Sequence, residues 1–231
     1  DTAAPNAPTL TGASLTNSNR PTLSGVAEAG STVSILEGGT TLGQATVGVN
    51  GAYSLVVATM ADGSHTLRAK ATDDAGNISS ASTALVVVVD TVDPAVPTLT
   101  GTSPSSTSTP VISGVAEANA TVTILNGNTS LGQASADAGG NYTFTPGSPL
   151  GDGTHLLSAT ATDAAGNTGT ASAVFSLLID TGVPGSPVLS VTQAITNDNK
   201  PVIGGTAEAG STVSIYRGNT QLGQVAASSG G

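Results

Sequence analysis

The chain has 231 residues, a formal net charge of −10, no cysteine, no tryptophan and 2% aromatic residues. The acidic balance argues against nucleic-acid binding, where Lys and Arg must neutralise phosphates. Thiolate metal sites and cysteine nucleophiles are excluded outright, and no apolar run reaches the roughly 18–20 residues that cross a bilayer as a helix.

In chain order, the first 89 residues read as seven short strands joined by turns. Strand A lies at 8–11, B at 21–27, C at 32–36, D at 41–47, E at 52–57, F at 65–72 and G at 82–89. Turn signals stand between them at Glu37-Gly38-Gly39, Asn50-Gly51, Asp62-Gly63 and Asp74-Ala75-Gly76-Asn77. This is the strand spacing of a β-sandwich. No window carries a helical stripe.

Alternation predicts the buried faces. After the B–C turn, Val33 and Ile35 point inward and Thr32 and Ser34 outward. In strand F, Leu67, Ala69 and Ala71 point inward, and Thr66, Arg68 and Lys70 face water. Strand G places Leu85, Val87 and Val89 in the core, and strand E places Tyr53 and Leu55 there. The second copy repeats the pattern with Leu157, Ala159 and Ala161, with Phe175, Leu177 and Ile179, and with Tyr142 and Phe144.

The organisation is a repeat. The stretch at 25–35, Gly-x-Ala-Glu-x-x-x-Thr-Val-x-Ile, returns at 114–124 and 205–215. Asp1-Thr2, Asp90-Thr91 and Asp180-Thr181 take equivalent places, giving periods of 89 and 90 residues. A unit of that size buries its own core, unlike the short repeats of a solenoid. The expected domains are 1–89, 90–179 and an incomplete 180–231 that lacks the E, F and G equivalents. In that half repeat, strand C is expected to lack a partner on its own sheet and to leave an open edge. Pro94 and Pro97 restrict the linker after Asp90. With no initiator Met and no leader, the sequence reads as an internal piece of a longer chain.

Antiparallel strand order places the B–C, D–E and F–G turns at the pole where each domain's N-terminus enters. Eleven of the 15 acids fall on poles of that kind. They are Asp1, Glu28, Asp73 and Asp74 in the first repeat; Asp90, Asp93, Glu117, Asp137 and Asp163 in the second; and Asp180 and Glu208 in the third. With Asn77 and Asn167, these oxygens match the donor chemistry of calcium, which takes 6–8 oxygen ligands. The competing reading is that Asp and Asn collect in loops because they make turns. Asp90, Asp93, Glu117 and Asp163 are the set expected to meet at the first junction, and Asp198 adds a donor from the opposite pole of the third repeat.

No catalytic constellation emerges. His65 and His155 sit one per domain at the E–F corner, away from most of the acids, and read as structural. Asp62 and Asp152 precede glycine and read as turn residues. Paired carboxylates for glycoside hydrolysis would need a cleft with aromatic platforms, and the aromatics here lie mainly on inward faces. No phosphate-cradling glycine loop opens a helix.

Taken together, the Asp-Thr-x-x-Pro start, Gly-x-Ala-Glu-x-x-x-Thr-Val-x-Ile, Asp-Gly-x-His and Ala-Thr-Asp-x-Ala-Gly-Asn resemble bacterial Ig-like repeats. The resemblance covers both full repeats and the half repeat. It implies an all-β chain of tandem seven-stranded Ig-like sandwiches in a linear array, the last one truncated. It further implies a non-enzymatic stalk of a giant surface adhesin or biofilm-associated protein, outside the cell. Calcium at or near domain junctions belongs to the same implication. The expected partners are the neighbouring repeats, with host surface or biofilm matrix met only through other parts of the full protein. Two other readings stand beside it: a module that binds a host glycan or protein, and an accessory array of a secreted enzyme. Short loops without exposed aromatic or Arg anchors count against the binding module.

Overall fold

The alternating stretches form as strands because β-branched and small polar residues suit a half-buried pleated surface. The computed structural model describes residues 1–190, 197 and 199–231; Asp198 lies outside the described residues. In the first repeat the strands are β1 (Leu15–Thr16), β2 (Thr22–Val26), β3 (Thr32–Glu37), β4 (Thr40–Thr46), β5 (Ala52–Val56), β6 (Gly63–Thr72) and β7 (Leu85–Val89). One sheet runs β1-β7-β6-β3-β4, and β2 pairs with β5 in the facing layer.

Three details correct the sequence reading. First, residues 8–11 form no continuous strand. Thr9 and Thr11 bond to Val26 and Ser24 of β2. The chain then crosses to the other sheet, where Leu15 and Thr16 pair in parallel with Val88 and Val89. Gly12 lies in the crossing, where a Cβ would stand 2.5 Å from Leu23 Cδ2. Second, the fourth strand hairpins onto the third in the same sheet, with a register shift at Ile35/Leu36. Third, β7 starts at Leu85 and not at residue 82, because the Ser82 and Ser79 hydroxyls accept from the Ala69 and Ala71 N–H groups of β6 in place of a strand.

The second repeat repeats the plan. Its strands are β8 (Thr100–Gly101), β9 (Ile112–Val115), β10 (Thr121–Asn126), β11 (Thr129–Ser135), β12 (Asn141–Phe144), β13 (Gly153–Thr162) and β14 (Phe175–Ile179). They form the sheets β11-β10-β13-β14 and β12-β9-β8. Each repeat has its own apolar core. The first gathers Leu23, Val33, Ile35, Leu67 and Val87, and the second Ile112, Val122, Ile124, Leu157 and Leu177, all without solvent exposure. The inward alanines of β6 and β13 are equally enclosed. Asp1–Ile179 forms one compact unit that contains both sandwiches.

Asp180–Gly231 forms a second unit. Here β15 (Val188–Ser190) pairs with β16 (Gly204–Thr206), and β17 (Thr212–Arg217) pairs with β18 (Thr220–Ala226). The expectation that the third strand lacks a sheet partner is therefore corrected. A tight turn at Gly218, with φ of 60°, brings β18 back onto it. The far side of β17, which β3 and β10 give to β6 and β13, carries no paired strand among the described residues. Val188, Ile203, Val213 and Ile215 line an open depression of about 290 Å³. No helix among the described residues is long and apolar enough to cross a membrane.

Candidate functional site

The entry pole of the first repeat gathers the residues that topology assigns to it. Asp1, Glu28, Asp73 and Asp74 line one open depression of about 270 Å³, together with the B–C turn Ala29-Gly30-Ser31. The turn needs a left-handed residue, supplied by Gly30 with φ of 84°, by Asn119 at 64° and by Gly210 at 75°. Glycine and asparagine take that conformation at least cost. The glutamate at the same turn acts through its main chain: the Glu28, Glu117 and Glu208 carbonyls accept from Ser31, Ala120 and Ser211.

The F–G turns are closed by an Asp–Asn pair. Asp73 Oδ1 accepts from Asn77 N and Asp73 Oδ2 from Asn77 Nδ2, both at 2.8 Å. The Asn77 side chain, with the turn N–H groups, holds the Asp73 carboxyl below its ordinary value against an opposing desolvation. Asp163 and Asn167 repeat the arrangement at 2.9 and 2.8 Å. Desolvation opposes ionisation of Asp163, but the Asn167 side chain and the turn N–H groups outweigh it and keep the pKa low. In the D–E turn, Asp137 is held low by the N–H and side chain of Asn141. Each repeat-start aspartate closes its own entry turn as well. Asp1, Asp90 and Asp180 accept through Oδ1 from the N–H of Ala3, Val92 and Gly182.

The two asparagines do a second thing. Asn77 Nδ2 donates to the Asp1 carbonyl at 3.3 Å, and Asn167 Nδ2 to the Asp90 carbonyl at 2.8 Å. The F–G turn thereby holds the entering chain of its own repeat. At the first junction the preceding repeat holds the same chain from behind. Asp62 Oδ1 accepts from Thr91 N at 3.1 Å and from Thr91 Oγ1 at 2.9 Å. Sequence reasoning treated Asp62 as a turn residue and missed this contact. The signal was present, because Asp-Gly ends the E–F corner of one repeat and Asp-Thr opens the next.

Among the described residues the acids and asparagines of the entry poles do not converge as a calcium site would require. Among the described residues no three acids or histidines come together in a way that holds a metal ion. Asp73 and Asp163 have both carboxylate oxygens engaged by their own turns. Asn77 and Asn167 turn an N–H donor toward the entry strand, where a cation would need an oxygen. Asp93 is exposed in the linker. Glu28, Asp74 and Asp1 share the entry depression of the first repeat without forming such a group.

At the opposite pole, His65 Nδ1 lies 2.8 Å from Glu37 Oε1 and Nε2 2.8 Å from the Ala61 carbonyl. His155 meets Asn126 and the Gly151 carbonyl in the same geometry. Both histidines thus pin the E–F corner to the C–D hairpin.

A family model described as bacterial Ig-like domain matches residues 6–91 and again 99–181. The chain belongs to the bacterial Ig-like domain family. No protein of curated function matches it. Among solved structures, it is similar to a tetra-tandem repeat in the extending region of a large adhesion protein, at 22% identity and a TM-score of 0.35. That match covers 97% of this chain and 63% of the other. A BSP domain of a biofilm associated protein matches at 22% identity and a TM-score of 0.32, over 76% of this chain and 30% of that one. The human OSCAR ligand-binding domain matches at 14% identity and a TM-score of 0.34, over 75% and 99%. At these scores the likenesses carry no argument about function. In this chain the first and second Ig-like sandwiches hold the short linker at Asp90-Thr91 between them.

Proposed function

We propose that this chain is a spacer segment in the stalk of a large bacterial surface adhesin, working outside the cell and without catalysis. The observation that carries the reading is the junction. Two Ig-like sandwiches stand in tandem, and the residues between them are hydrogen-bonded to both neighbours. The repeat pattern supports it, since units of one plan in series add length and no new chemistry. The partners are the adjoining repeats, and contact with a host surface or biofilm matrix falls to other parts of the parent protein. Calcium stiffening is the companion proposal that the resemblance raises. Its donors are the acids named above, and the geometry of the Asp–Asn pairs does not favour it.

A glycan array and a pull-down with the whole chain test this reading against a ligand-binding module. The expected result is no specific ligand. Antibody labelling of intact cells tests the location, and surface staining is expected. Robust, saturable capture of a glycan or a host protein would replace the spacer reading with the binding one.

A further inference from the structure

One peptide group, the Asp90 carbonyl with the Thr91 N–H, is gripped from opposite sides by different repeats. Its oxygen accepts from Asn167 Nδ2 of the second repeat at 2.8 Å. Its N–H donates to Asp62 of the first repeat at 3.1 Å, and the Thr91 hydroxyl donates to the same carboxylate. The preceding N–H, that of Asp90, donates to the Thr16 carbonyl of the first repeat at 3.0 Å. We propose that this peptide is a clasp that fixes the angle between the first and second repeats by hydrogen bonds alone, and that the Asp62-Gly63 corner of the first repeat is the docking surface for the Asp90-Thr91 start of the second. The proposal deepens the spacer reading and rests on it.

Bending between two domains needs rotation about the backbone of the linker. A peptide plane anchored through both its N–H and its C=O does not rotate unless one anchor breaks. Two more contacts close off the escape. Pro94 is buried, and its carbonyl fills the space beside Gly169, where a Cβ would stand 2.3 Å away. Asn17 of the first repeat lies against Gly166 in the second repeat's F–G turn, 3.5 Å from where a Cβ would be. The equivalent Gly76 has nothing within 4 Å.

The chemistry of the docking surface is specific. A carboxylate offers two oxygens to the adjacent N–H and O–H of one threonine, and both donors are neutral. Serine keeps that pair; valine keeps the shape and loses the hydroxyl. The clasp is built from protein hydrogen bonds, so chelation is expected to leave it untouched.

The test uses the full chain. It has no native cysteine, so Thr41→Cys in β4 and Ser130→Cys in β11 place one spin label on each repeat. The distance distribution is recorded with calcium and with chelator. The expected result is one narrow distribution, the same in both conditions. It widens by about twofold or more as the linker becomes a flexible tether in Asp62→Ala and in Thr91→Val. It stays narrow in Thr91→Ser. Asp62 and Thr91 are exposed, so both sandwiches should remain folded, which circular dichroism melting checks; Asn167→Ala probes the other side of the peptide. A narrow distribution that ignores all three disruptive variants overturns the clasp and leaves the spacer reading standing. Narrowing only with calcium overturns the clasp in favour of a metal. A broad distribution in every condition overturns the clasp and the rigid spacer together.

Discussion

The Ser82 hydroxyl accepts the main-chain N–H of Ala69 at 2.9 Å inside the first sandwich. Strand β6 runs for ten residues and β7 for five, so the far half of β6 has no β7 partner. Ser79 accepts from Ala71 N in the same way, and Ser172 accepts from Ala159 N in the second repeat. Ser82→Ala leaves a buried N–H without an acceptor. That should destabilise the first repeat by about 1–3 kcal/mol. Denaturant unfolding and faster amide exchange at Ala69 would register it, and an unchanged midpoint would show that water replaces the hydroxyl.

The strands and their inward faces were legible in the sequence because period-2 alternation reports burial directly. Val33, Ile35, Leu67, Ala69 and Ala71 are all fully enclosed. The sheet crossing at Gly12 was not, since two-residue pairing at Leu15–Thr16 leaves no periodic trace. The acids at the entry pole were placed by topology alone. What each acid does depends on the direction of its hydrogen bonds. Asp73 and Asn77 read as two oxygen donors in the sequence, yet they face each other as acceptor and donor.

Tyr53 passes its hydroxyl over Gly25 to the Thr9 carbonyl, and Tyr142 passes over Gly114 to Thr98 at 2.6 Å. This explains the glycine that opens the repeated stretch. A Cβ on Gly25 would stand 2.1 Å from Thr9 O and 2.7 Å from the Tyr53 hydroxyl. Gly25→Ala should force strain of about 1–3 kcal/mol. Tyr53→Phe removes one hydrogen bond and should cost about 1 kcal/mol. Burial pushes the Tyr53 phenol up to about 12, so alkaline titration should show it ionising after exposed tyrosine.

His65 has an acceptor at each ring nitrogen, so protonation lets both donate. The Ala61 carbonyl raises its pKa above 6.5, desolvation opposes this, and Glu37 adds to the rise. A raised folded pKa means that the stabilisation is complete below the unfolded value. It is lost as pH climbs through the folded value above 6.5. Glu37 is 37% exposed, so solvent screening keeps the effect within about 1 kcal/mol. Proton NMR titration should find His65 above 6.5, and Glu37→Gln should lower it without removing the Ala61 contribution. A His65 pKa at or below 6.5 would contradict the geometry.

Asp73, Asp137 and Asp163 have the opposite sign. Their pKa values are lowered in the folded chain. Their contribution is complete above the unfolded value, near 3.8, and is lost as pH falls through the lower folded values. Amide exchange at Gly76 and Gly166, corrected for its intrinsic pH dependence, should gain protection loss only in that acidic window. Asp163→Asn should remove the window from the second repeat's turn and leave it in the first. Loosening of both turns near neutral pH would show that the carboxylates are not what closes them.

Gly169 stands where the first repeat has Ser79, and it lies against the entry strand of its own repeat. In the first repeat the Ser79 side chain is buried and accepts from Ala71 N. In the second, Gly169 N still bonds to the Ala161 carbonyl, but the missing side chain leaves room for the Pro94 carbonyl. Gly169→Ser restores the hydroxyl and removes that room. The new Cβ would begin 2.3 Å from Pro94 O, so the linker must move or the turn must strain. The cost to the second repeat should be about 1–3 kcal/mol, the range for a side chain forced into filled space. The first repeat should be unaffected, since the change lies outside its core. Because Pro94 follows the clasped peptide by three residues, the same variant should widen the distance distribution between labels at 41 and 130. A destabilised second repeat with an unchanged distribution would locate the strain in the F–G turn and leave Pro94 a passive neighbour.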